Sequence, residues 1–212
     1  MTETEMRSAL AREDLCRFLA ACYYEPEPAF EEEGMFDALL VAARLVGDDF
    51  VPHAQALGNA FRSADPQALL RDYTRLFLGP TVILAKPYGS VWLDAEKTLM
   101  GDSTLAVLDL YREADFEMDE EFKDLPDHIA VELEFLYLLI FRENAARQAG
   151  DAAQLAATLN LQQRFLTQHL GAWAGRFTDA LQAGAQCGFY RTLAMLTEKF
   201  VGQQLAGLNS SQ

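Results

Sequence analysis

The stretch "DLPDHIAVELEFLYLL", residues 124–139, decides the fold. Ile129, Leu133, Leu136 and Ile140 follow one helical stripe, while Val131, Phe135, Leu138 and Leu139 fall on the remaining sides. A helix that is apolar nearly all round must be surrounded by other elements, so this one is expected at the centre. Its start is read near Asp127 and its end near Ala149, with Gly150 as the stop. Pro126 suits a first turn, and the Asp127 carboxylate suits an N-terminal end, where orphan N–H groups and the helix dipole favour it.

Working outward, almost every segment reads as helix. Met6, Leu10, Leu15, Phe18, Leu19 and Cys22 keep helical spacing over 5–23, and "EPEP" at 25–28 stops that run. A second helix is read over 29–46, and Asp48 or Asp49 caps a third that runs to Ser63. In "ADPQALLRDYTRLFLGP", Asp65 is the N-cap, Pro66 takes the first helical position, and Gly79-Pro80 ends the helix. Two glycines and two prolines exclude a regular helix over "GPTVILAKPYGSVWL", so 79–93 is read as an extended loop. A helix is expected from Asp94 to Ala114, kinked at Gly101, followed by an acidic linker at 115–124. Asp151 caps a helix to Leu170, and two more cover 171–183 and 188–206. The fold class is therefore all-α: a single compact helical domain of nine or ten helices spanning residues 1–212.

Bulk composition narrows the function. The 212 residues carry 32 acidic and 17 basic side chains, a formal charge of −15. Such a surface repels phosphate backbones, which argues against nucleic acid, and attracts basic peptides. No window holds the ~18 uncharged apolar residues of a membrane span, and the N-terminus does not read as a secretory signal. A protein that stays in the cytoplasm is expected. Cys16, Cys22 and Cys187 are an odd number without a CxxC spacing, which argues against a disulfide framework or a zinc site.

Asp127-His128 could instead be a base and its orienter, serving a nucleotide-binding or hydrolytic helical protein. Adjacent helical residues point about 100° apart, so a direct bond between them is not built in. No GxSxG nucleophile, metal-ligand spacing among His53, His128 and His169, or phosphate loop supports chemistry. The capping reading is the stronger, and no catalytic residue, metal or cofactor is assigned. A binding site for an apolar or amphipathic peptide remains. Tyr73, Leu76 and Phe77 share a helix face, and the aromatic loop at 87–92 follows them. Each of these residues alone reads equally as core.

Two of these segments resemble known motifs. "YTRLF" (73–77) is similar to the aromatic-x-x-Leu-Phe motif of the TorD/DmsD/NarJ family of redox-enzyme maturation chaperones. "LPDH" (125–128) resembles its second motif, and "GP" at 79–80 with "KPYGSVWLD" (86–94) its intervening loop. One departure is Asp124 before Leu125, where the family usually shows Glu. The resemblance implies a TorD-like, non-enzymatic chaperone. It would bind the twin-arginine signal peptide, or an N-terminal segment, of a molybdopterin oxidoreductase catalytic subunit, and delay export until cofactor insertion and folding. Its partners would be that leader and subunit and the cofactor-insertion machinery, with the chaperone a monomer or homodimer. The implied peptide groove comprises Tyr73, Leu76, Phe77, Pro87, Tyr88, Ser90, Trp92, Pro126, Asp127 and His128. The client stays open.

Overall fold

A computed structural model describes residues 2–79, 83–95, 99–118 and 124–209. Among these residues the chain is all-α. The helices are α1 (Glu3–Ala21), α2 (Ala29–Glu32), α3 (Met35–Val46), α4 (Val51–Ser63), α5 (Pro66–Tyr73), α6 (Gly89–Leu93), α7 (Asp102–Glu113), α8 (Ile129–Ala149), α9 (Ala152–Gln168), α10 (Leu170–Gly184) and α11 (Gly188–Asn209). A similar fold and helix order were expected, and the differences are local. The helix read over 29–46 is broken at Glu33–Gly34 into α2 and α3. The helix read from Asp94 begins only at Asp102. Asp94 instead folds back, its carboxylate accepting from the Ser103 hydroxyl at 3.0 Å. A Cβ at Gly101 would lie 2.0 Å from Asp94 Oδ2, so the expected kink glycine is a close approach of two segments. Five residues of the expected extended loop form α6, a consequence of long-range contacts described below. Pro80, Thr81 and Val82 of that loop and 119–123 of the acidic linker lie outside the described residues.

The central helix is α8. Ile129, Ala130, Leu133, Phe135, Leu136 and Ile140 are buried in it, with α1, α9 and α10 packed around. At its C-terminal half the apolar pattern yields to a polar junction. Arg12 of α1 donates to Glu143 of α8 at 2.9 Å, to Gln162 of α9 at 3.3 Å and to Gln204 of α11 at 2.6 Å. One guanidinium, with its fixed fork of donors, thereby ties four helices together.

The expected caps Asp65 and Asp151 are in place, accepting from Ala68 N at 3.1 Å and Gln154 N at 2.9 Å. Neither Asp48 nor Asp49 caps α4, whose N-cap is Phe50; Asp49 pairs with Lys199 instead. Past Tyr73 the α5 helix widens into a π-turn, Thr74–Leu78. Asp72, immediately before it, is buried and accepts from the amides of Gln186 and Cys187 at 2.9 and 2.7 Å, ahead of α11. Arg75 pairs with the same carboxylate and donates to the Gly184 carbonyl at 2.6 Å. Cys16 and Cys22 are buried and Cys187 half-buried, all three free thiols.

Asp72→Ala would orphan two backbone amides and a partly buried guanidinium. A loss of about 2–4 kcal/mol is expected in urea unfolding. A loss under about 1 kcal/mol would show that water replaces these bonds without cost.

Candidate functional site

Two segments meet at the N-terminus of α8. Ile129 N donates to the Pro87 carbonyl and Gly89 N to the Asp127 carbonyl, both at 2.8 Å. These bonds make an isolated antiparallel bridge between Tyr88 and His128. The motif after the π-turn is thus pinned to the motif before α8.

Asp127, expected to line a groove, is buried. Its side chain is 1% exposed. The carboxylate accepts from Ser90 N at 2.7 Å and from the Thr104 hydroxyl at 3.1 Å. Asp127 therefore caps α6 from another part of the chain and holds α7 to it, and it is not the cap of α8. That cap is His128. Its Nδ1 accepts from Ala130 N at 3.2 Å, which requires the neutral tautomer with the proton on Nε2. Burial lowers the pKa of His128, with Asp124 and Asp127 opposing. Each side chain of the supposed dyad is thus committed to a backbone amide.

The ten expected groove residues divide by accessibility. Leu76, Phe77, Pro87, Ser90, Asp127 and His128 are buried, whereas Tyr73, Tyr88, Trp92 and Pro126 are half-buried. Phe77 stands at the middle of an aromatic cluster, with Tyr73, Tyr190, Tyr23 and Phe177 ring centres 5.3, 5.7, 6.2 and 6.4 Å away. The Leu76 carbonyl accepts from Ala85 N at 3.0 Å. Trp92 donates its indole N–H to the Lys86 carbonyl at 2.8 Å, leaving its ring partly uncovered. Tyr88 packs edge-on to His128 at 5.5 Å.

Other residues complete the surface. Tyr24, at the end of α1, donates to Glu134 at 2.7 Å. Burial and then the Asp124 carboxylate raise the pKa of Tyr88, and burial, Asp124 and Glu25 raise that of Tyr73. The Glu134 pKa is raised by burial, with the Tyr24 hydrogen bond opposing. Tyr24, Tyr73 and Tyr88 therefore share one neighbourhood with Glu25, Asp124 and Glu134. Sequence reading missed Tyr24, Glu25 and Glu134 because they come from distant parts of the chain. The one available hint was a tyrosine pair, Tyr23-Tyr24, directly before an acidic, proline-rich turn.

Under the bridge lies a second carboxyl group, Glu132, fully buried. Trp173 donates to it at 3.0 Å. A Cβ at Gly89 would stand 3.1 Å from both Glu132 Oε1 and the Trp173 indole nitrogen, so the glycine lets α6 settle onto this pair. Among the described residues no group of three or more His, Cys, Asp or Glu is disposed to hold a metal.

Burial, with Asp127 adding to it and the Trp173 N–H opposing, raises the Glu132 pKa well above its ordinary value. The folded chain then keeps a proton that the unfolded chain releases near pH ~4.3. Stability from this group is lost as pH rises from there toward the folded pKa. Glu132→Gln keeps an acceptor for Trp173 and removes the titration. The variant should gain stability over wild type as pH is raised from about 5 to about 8, read by thermal melting. A difference that stays constant with pH would remove Glu132 from the linkage.

The family profile described as nitrate reductase delta subunit matches residues 46–179. The Tat proofreading chaperone DmsD of Salmonella paratyphi A is 30% identical over 213 residues, covering 96% of this chain and 95% of the relative. The chaperone protein TorD of Aliivibrio salmonicida is 30% identical over 133 residues, covering 63% and 60%. A crystal structure from Archaeoglobus fulgidus, assigned as a redox enzyme maturation protein, superposes with a TM-score of 0.55 at 21% identity, covering 90% of this chain and 93% of that one. The chain belongs to the nitrate reductase delta subunit family, together with the DmsD and TorD chaperones.

Proposed function

We propose that this protein is a cytoplasmic, non-enzymatic chaperone for a molybdopterin oxidoreductase catalytic subunit. It binds the twin-arginine leader or an N-terminal segment of that subunit and delays export until the cofactor is inserted and the subunit folded. The observation that carries this reading is the meeting of Tyr24, Tyr73 and Tyr88 with Glu25, Asp124 and Glu134 above a pinned bridge. Guanidinium groups are held by carboxylates through charge-assisted bonds and by aromatic faces through cation–π attraction. Half-buried Trp92 and Pro126 offer further apolar area for the rest of the leader. The names of the DmsD and TorD relatives support the same role.

The basic pair is therefore met by Asp124 and Glu134, while Asp127 and His128 hold the frame. No helix among the described residues is long and apolar enough to cross a membrane, in keeping with a chaperone that meets its client before export.

Calorimetry with a synthetic peptide, an Arg-Arg pair followed by an apolar stretch, tests the site. Tyr73→Ala or Trp92→Ala should weaken binding about tenfold while the fold persists. Asp124→Asn should weaken it roughly threefold at low salt, and less at ~1 M salt, where the Debye length falls to about 3 Å. Unchanged affinity in all three variants would remove the surface from peptide binding.

A further inference from the structure

Beside this surface lies a cavity of about 290 Å³ that the sequence did not suggest. Its walls are Pro26, Pro28, Phe61, Pro66 and Leu69. Three rings with fixed φ and a core phenylalanine make it preformed, so filling it costs little ordering entropy. Its rim carries Glu27, Glu31 and Glu32 together with Arg62. Arg62 neutralises Glu31 at 2.7 Å, whereas Glu27 and Glu32 form no ion pair among the described residues. An apolar pocket with an acidic rim suits a chain that is both apolar and basic.

Helix α5 links the pocket to the tyrosine surface, carrying Leu69 on the pocket wall and Tyr73 at its C-terminal end. Leu69 and Tyr73 are one helical turn apart on the same face of α5, about 5–6 Å between Cβ atoms. Pro26 adjoins Glu25, whose charge acts on Tyr73.

Resting on the function proposed above, we infer that this pocket is a second subsite of the same groove and takes an apolar side chain of the bound leader. Glu27 and Glu32 add attraction for a further cation beside it.

Ala64, half-buried on the wall at the C-terminus of α4, allows the pocket to be filled. Ala64→Phe should weaken binding of the Arg-Arg peptide about tenfold by calorimetry. A peptide whose apolar residues near the arginine pair are changed to Ala should bind wild type and Ala64→Phe equally. Independent, additive losses in that cycle would overturn the subsite. Should Ala64→Phe fail to fold, Glu27→Gln with Glu32→Gln decides: about a threefold loss at low salt supports the subsite, and unchanged affinity overturns it. Loss of affinity in Tyr73→Ala alone would leave the chaperone reading standing without the pocket. A wild type that binds no peptide would overturn both.

Discussion

The Asp127 carboxylate holds together segments that the chain alone would leave apart. It accepts from Ser90 N, near the start of a five-residue helix, and from Thr104, two residues into α7. A helix of five residues does not persist in water on propensity, because nucleation outweighs so few bonds. α6 exists because Asp127 satisfies one of its orphan amides, the Tyr88–His128 bridge fixes its entry, and α10 packs against it. The position of Trp92 follows, since it lies in α6. So does that of Tyr88, which forms half the bridge.

Charge in this region is layered by depth. Beneath the bridge, burial raises the pKa of Glu132, which accepts from Trp173, and lowers that of His128, whose neutral form serves as a cap. Burial disfavours the charged form of both groups. Above it, Asp124 remains 35% exposed and Glu134 half-buried, where a carboxylate can still exchange water for an incoming cation.

The sequence was informative wherever structure is local. The apolar belt of α8, the caps Asp65 and Asp151, and the stop at Gly79 follow from spacing and residue type. It was silent wherever a side chain acts on a distant segment. Asp127 reads as a cap and is one, but of a helix 37 residues earlier in the chain. The Asp94–Gly101 contact ends one helix and starts another, and hydropathy carries no sign of it. The motif residues were found as a group through family resemblance, yet the group mixes buried and accessible positions that linear order does not distinguish. Tyr24 and Glu134 carry no motif at all, and only folding brings α1 beside α8.

A buried frame beneath a half-buried face has a consequence for recognition. Leu76, Phe77, Ser90, Asp127 and His128 contribute little accessible area, so a bound peptide meets them chiefly through the geometry they impose. Substitution there acts first on stability and on the placement of α6. Tyr73, Tyr88, Trp92, Asp124 and Pro126 are partly accessible and contribute the area that a peptide could touch. Specificity is a difference of affinities, set by such accessible groups.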